Sequence, residues 1–311
     1  YNNSIKVWIF QTFFVYLYIN KQVMAKVSFS QFSTWSTCPQ QYKLRYIDKL
    51  GQSSANIHTI FGTAVHETIQ HFLSVMYGES KKKAEEIDTS KLLLEWMRKE
   101  YINETAKLSS GTICTQLELE EFYGDGRRII EWFKKKLDKF YTKTGFELVG
   151  IEIPIKADVK QGVTLVGFID IVMKDLATDE IIIIDLKTST RGWNKYQKSD
   201  KLKNAQIIIY KKYYSELFNV PLDKIKVEYQ IMRRKMPDDA PFPVPYVSKH
   251  IPASGKPTVN KVYGEFMQFV DTVFDDEGVY RDVPFPKNPG ERKKNCKFCE
   301  FNTRGLCDGI S

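Results

Sequence analysis

The alternation of apolar and polar positions divides the chain into a helical first half and a β-rich middle. Apolar residues recur at helical spacing over 60 to 77, 91 to 101 and 117 to 140, predicting one strongly amphipathic helix and then a charge-rich helical stretch from 78 to 145. Residues 28 to 50 predict a short helix, a break and a second helix, with Pro39 in its first turn, where the missing N–H costs nothing. β character runs from Glu147 to Val159, and Pro154 makes that strand an edge or a bulged one. Two further runs, Val163 to Lys174 and Ile181 to Lys187, are joined by a short polar turn and read as a hairpin. The isoleucines from Ile181 to Ile184 predict a strand buried on both faces. Beyond it the pattern predicts a helix over 201 to 218, a strand over 227 to 233, a Pro-rich irregular excursion over 237 to 257 and a helix over 260 to 274.

The hairpin carries the candidate chemistry. Positions two apart on a strand share a face, so Asp185 and Lys187 point into the same space, and Asp170 ends the apolar stretch of the preceding strand. If these strands pair, two carboxylates and an amine converge at one edge of a sheet, a divalent-metal site with a cation beside it. Glu152 offers a third carboxylate on the first strand. Gly62 and His66 lie four apart on one helical face, with the small residue making room beside the imidazole; His71, at a different angle, is the ordinary surface histidine. Gln206 and Tyr210 also share a helical face and either reach a ligand or cap the sheet. Thr188 to Trp193, including Ser189, reads as a polar loop suited to phosphate contact.

Composition narrows the partners. A chain of 311 residues with 42% hydrophobic content can bury one large core or two modest ones, and its net charge of +8 favours an anionic partner such as nucleic acid. The run Lys81 to Lys83 is a solvated face or part of a nucleic-acid path. Five cysteines in a chain this long do not make a secreted disulfide scaffold, and the expected location is cytoplasmic. Cys296, Cys299 and Cys307 have metal-ligand spacing but are one ligand short. Cys38, just before a helix N-terminus, or Cys114 is the fourth. Residues 7 to 19 are apolar but too short to span a bilayer as a helix, which needs about 20 residues. Met24 is the expected start of the domain, leaving 1–23 as a non-native or upstream extension or an added strand or helix, 24–311 as a single domain with a helical insertion over 78–145, and 290–311 as a cluster-binding tail.

The pieces Cys38-Pro-x-x-Tyr42, Gly62-x-x-x-His66, Gly167-x-x-Asp170, Asp185-x-Lys187, Gln206-x-x-x-Tyr210 and the terminal cysteine trio occur in this order. Together they resemble the PD-(D/E)XK nuclease superfamily, in particular the RecB-type nucleases with an iron–sulfur cluster, such as the AddB nuclease domain, CRISPR adaptation nucleases and related phage exonucleases. The resemblance implies an α/β restriction-endonuclease-like fold: a mixed central sheet flanked by helices, with a cysteine-ligated cluster joining the two ends. It implies Mg²⁺ or Mn²⁺ on His66, Asp170, Asp185 and the carbonyl of Leu186, with Lys187 assisting the attacking water. Gln206, Tyr210, Thr188, Ser189 and Tyr42 would contact DNA or support the site. Cys38, Cys296, Cys299 and Cys307 would hold a [4Fe-4S] cluster, although four thiolates equally suit Zn²⁺. The implied reaction is hydrolysis of DNA phosphodiester bonds by an exonuclease preferring single strands or ends. Trimming of DNA for CRISPR adaptation, and a cluster-bearing DNA-binding protein without catalysis, are the alternatives. The helical segment 78–145 carries no helicase motif and no Gly-x-x-x-x-Gly-Lys-Ser/Thr phosphate loop, so a nuclease not fused to a motor is expected.

Overall fold

The computed structural model describes residues 24–52, 56–108, 111–237 and 242–309. The expectations for residues 1–23 fall outside these. Strand β1 (Ala25–Val27) leads into helix α1 (Phe29–Thr37), capped by the Ser28 side chain, and after Cys38 a short helix at Pro39–Tyr42 continues as a π turn over Lys43–Ile47. Helix α2 (Ile57–Gly78) starts at a capping box in which Asn56 and Thr59 satisfy each other's backbone N–H groups. Helices α3 (Thr89–Thr105) and α4 (Gln116–Lys135) follow, as the 3.6-residue period predicts. Between α2 and α3, Lys81, Lys82 and Lys83 are exposed on a short helix. Lys81 pairs with Asp138 and Lys83 with Glu86, which makes the basic run a solvated face.

The sheet is mixed. Strands β2 (Phe146–Lys160), β3 (Val163–Asp175) and β4 (Glu180–Ser189) form an antiparallel meander. The turn between β3 and β4 is held by Asp175 Oδ1, which accepts from the N–H groups of Ala177 and Thr178. Among the described residues strand β2 pairs only with β3, so Pro154 stands in an edge strand. Helix α5 (Lys201–Leu217) returns the chain so that β5 (Ile225–Arg233) lies parallel to β4, and β6 (Val247–His250) then pairs antiparallel with β5. The irregular excursion expected over 237–257 therefore contains an edge strand. It is only four residues long and its burial is mixed, too little for periodicity to register. Helix α6 (Lys256–Val273) closes the domain and begins four residues earlier than its apolar pattern, with Pro at its start.

Helices cover both faces of this sheet. On one side α1, α5 and α6 contribute Phe32, Ile207, Phe266 and Phe269 to a continuous core with Leu165, Ile183 and Tyr229. The Phe32 ring stands edge-on to Phe266 at 5.6 Å, and each such fully buried side chain contributes about 1.5–3 kcal/mol. On the other side α2, α3 and α4 pack Phe61, Leu73, Leu93, Met97 and Phe133 against Ile171, Met173, Ile184 and Leu186.

The site originates in two departures from regular pairing. Strand β4 pairs with β3 only from Ile171↔Ile184 to Asp175↔Glu180, while β1 pairs with the other end of β3, at Val163 to Leu165. The two strands thus part beside Asp170 and Asp185. In addition, the in–out alternation of β3 slips at this point, since Ile169 faces one core and Ile171 the other. Opposite the slip, Glu152 of β2 has φ of 50°, a left-handed conformation that a residue with a side chain adopts at a cost.

Candidate active site

Where β3 and β4 separate, the freed Leu186 N–H donates to Asp170 Oδ2 at 2.7 Å, so the carboxylate replaces the lost ladder partner. His66 projects from α2 with Nδ1 3.7 Å from the same oxygen. Asp185 and Lys187 share a face as their spacing predicts, with Nζ 2.7 Å from Asp185 Oδ2. This ion pair is close but not aligned as a hydrogen bond, so Asp185 Oδ2 is buried without a hydrogen-bond partner. Lys187 Nζ does donate to Gln206 Oε1 at 3.0 Å, and Gln206 Nε2 lies 3.5 Å from the Tyr210 hydroxyl. His66 and Asp170 thus form one pair and Asp185, Lys187, Gln206 and Tyr210 one chain, joined through the Leu186 N–H that donates to Asp170, and built from α2, β3, β4 and α5.

The two glycines in the motifs have steric reasons. A Cβ on Gly62 would meet Thr188 Oγ1 at 3.2 Å, so the small residue lets α2 pass close to the end of β4. A Cβ on Gly167 would come within 2.7 Å of the Tyr210 hydroxyl, a distance that real contacts do not reach. Gly167 therefore makes the place that Tyr210 fills.

Burial dominates the electrostatics. It pushes the Asp170 and Asp185 carboxyls up to about 6, against the opposing pull of the Lys187 charge. Burial, reinforced by Lys187, lowers His66 to about 4, so the imidazole is neutral at pH 7 and able to act as a ligand. For Lys187 itself burial works against the charge, yet Asp185 and Asp170 outweigh it and raise its pKa above the ordinary lysine value. The cluster therefore holds a charged ammonium among carboxylates that resist ionisation unless a cation compensates them.

The donor set has the chemistry of a hard-cation site: two carboxylates, a neutral imidazole and a buried carboxylate oxygen lacking a hydrogen bond. Among the described residues, however, no three His, Cys, Asp or Glu side chains stand as a group able to hold a metal ion. Asp185 lies against Lys187 and Asp170 against Leu186 N–H, so ligation by all three requires them to turn toward a shared centre.

Several expectations change. Thr188 and Ser189 end strand β4 and are not loop residues; register with Met232 and Arg233 holds them, and Ser189 Oγ donates to the Gly192 carbonyl. Tyr42 has no exposed surface and packs beside Tyr46 and Phe285, which gives it a place in the core with no surface for DNA. Tyr210 is also buried, so it braces Gln206 from within the core. Glu152 is near the cluster but is engaged by Gln70, whose Nε2 donates to Glu152 Oε1 at 2.6 Å and to the Asp170 carbonyl at 3.2 Å. Sequence reasoning passes over Gln70. An amide one helical turn after His66, on the buried face of an amphipathic helix, is the signal that marks it.

Cys38, Cys296, Cys299 and Cys307 line one small recess together with Leu44 and Phe301. All are free thiols, and burial with the neighbouring sulfurs raises the pKa of Cys296. Cys114 packs against the helical-layer core and does not line the recess, which removes it as the fourth member. The recess joins the segment around Cys38 to the C-terminal segment of the described residues, as Asn288 and Asn295 both donate to the Thr37 carbonyl. Four thiols suit zinc or iron chemically, but among the described residues no three of them are arranged to hold an ion as they stand.

A mixed sheet with an Asp, an Asp-x-Lys and a helical His at its parted strands is the architecture of a nuclease core. The chain belongs to the PD-(D/E)XK nuclease superfamily, whose family model matches residues 26–307. No curated protein matches it. Among solved structures, one titled "Crystal structure of SSO0001" is similar at 12% identity, covering 88% of this chain and 96% of that one, with a TM-score of 0.29. That likeness is too loose to inform fold or function. Among the described residues no helix is long and apolar enough to cross a membrane.

Proposed function

We propose that the chain is a Mg²⁺- or Mn²⁺-dependent deoxyribonuclease that digests DNA as an exonuclease from single strands or strand ends. The observation that carries this reading is the Asp185–Lys187–Gln206 chain facing Asp170 and His66 where two strands part. His66, Asp170, Asp185 and the Leu186 carbonyl would hold the cation, which when bound lowers the pKa of water and polarises the phosphate. The remaining work belongs to the protein. Gln206 holds the Lys187 ammonium by one of its three protons, leaving donors for a water or a non-bridging phosphate oxygen. A fixed cation there offsets charge developing on the phosphate in the transition state. Leu186 N–H and Gln70 fix the Asp170 side chain and backbone, so the carboxylate is oriented before substrate arrives.

For the cysteine recess we propose a structural metal centre tying the chain's ends together, an iron–sulfur cluster by resemblance or zinc by the same thiol chemistry. Metal and sulfide analysis of the purified protein separates the two, since a cluster is brown and zinc colourless. The nuclease reading is tested with end-labelled single- and double-stranded oligonucleotides plus Mg²⁺, Mn²⁺ or chelator. Shortening of labelled strands that chelator stops is expected. Absence of metal-dependent cleavage on every substrate would overturn it.

A further inference from the structure

Lys187 and Gln206 form part of the wall of a surface recess of about 420 Å³ that extends away from Asp170 and His66. Phe29 of α1 and Trp193 of the loop after β4 are among its walls, and Thr188 and Lys203 line it as well. Trp193 is set in place: its ring lies 5.1 Å from Tyr229 and 6.0 Å from His250. The Lys203 ammonium stands 5.7 Å from the Trp193 ring. Both aromatic side chains are half-buried, so part of each remains available to a ligand.

The combination is selective in its chemistry. A groove made for backbone phosphate alone needs cations and no aromatic walls. Here aromatic rings flank a cavity that shares Lys187 with the candidate hydrolytic centre, which suits a flat, uncharged ring tethered to a phosphate. A base inside a duplex is held in its stack and paired, and it enters such a recess only after leaving both. Resting on the nuclease reading above, we propose that this recess is a base-binding subsite that takes one unpaired base of the strand being cut, next to the scissile phosphate. Strand selectivity then arises from stacking on Phe29 and Trp193 and not from the sheet or the metal ligands.

The test uses single-stranded oligonucleotides carrying one abasic site at successive positions. In the wild-type chain, loss of the base at one position relative to the cut should lower kcat/KM about tenfold. That penalty should vanish in W193L and F29A and survive in W193F, which keeps a ring. K203Q, at an exposed position, is tolerated by the fold and should weaken binding of intact and abasic strands alike. A penalty at no position, or the same penalty in W193L and F29A as in wild type, would overturn the subsite. The same oligonucleotides are also measured by fluorescence anisotropy in chelator. Abasic discrimination in binding without any metal-dependent cleavage would sink the nuclease reading and keep the subsite; cleavage without discrimination would do the reverse.

Discussion

Two carboxylates in this molecule are equally hidden and opposite in character. Asp125, on α4, has no exposed surface and is enclosed by cations: Arg234 donates to it at 2.7 Å, Lys235 lies 3.1 Å away, and Arg128 pairs with its other oxygen. Asp185, 3% exposed, has a single ammonium beside it and an oxygen with no hydrogen bond. The first is a clamp. Arg234 also lies 3.8 Å from the Phe122 ring and its N–H donates to the Ser189 carbonyl, so the network fastens the helical layer to the end of β4. The second is incomplete within the protein itself. A buried charge paired on every side fastens structure, whereas Asp185, beside one ammonium, keeps a carboxylate oxygen with no aligned hydrogen bond.

The contrast can be broken from either side. Lys187→Ala should reduce cleavage by at least ~10²–10³-fold while leaving the melting transition near the wild-type one, because it removes a transition-state contact; full activity in that variant would end the catalytic assignment. Asp125→Ala should do the opposite, costing about 1.5–3 kcal/mol of stability by leaving Arg234 and Lys235 with only the half-exposed Glu121 as their shared carboxylate while the folded fraction keeps its activity. Urea unfolding together with activity per folded molecule checks this, and a loss of activity without loss of stability would erase the distinction between clamp and site. A subtler effect sharpens it. Asp170 and Asp185 take up protons as pH falls through about 6, so cleavage should decline below that pH. Because cation and proton compete for the same oxygens, raising Mn²⁺ should move the decline to lower pH, in Asp125→Ala as in wild type. A decline indifferent to Mn²⁺ would mean that these carboxylates are not the ligands.

Much of the fold was legible because it depends on local period. The Ile181 to Ile184 run announced a covered strand, and the Gln206–Tyr210 spacing announced a shared face that the structure realises as a contact, with Gly167 making room for Tyr210. β6 was not legible, since its four residues are a strand only because β5 offers an edge. Gln70 was missed for a related reason. Its partners, Glu152 and the Asp170 carbonyl, are about a hundred residues away in sequence, and no helical pattern encodes them. Trp193 read as part of a polar loop, although Tyr229 and His250 make it a fixed wall.

By itself the sequence determined which candidate residues share a face with which neighbours, because side-chain direction follows from strand and helix geometry within a few residues. Tertiary structure alone decided where β3 and β4 part, how the alternation slips at Asp170, that four distant cysteines meet, and that an aromatic recess opens beside Lys187. Those features depend on register and on packing between layers, and both are properties of pairs of elements far apart in the chain.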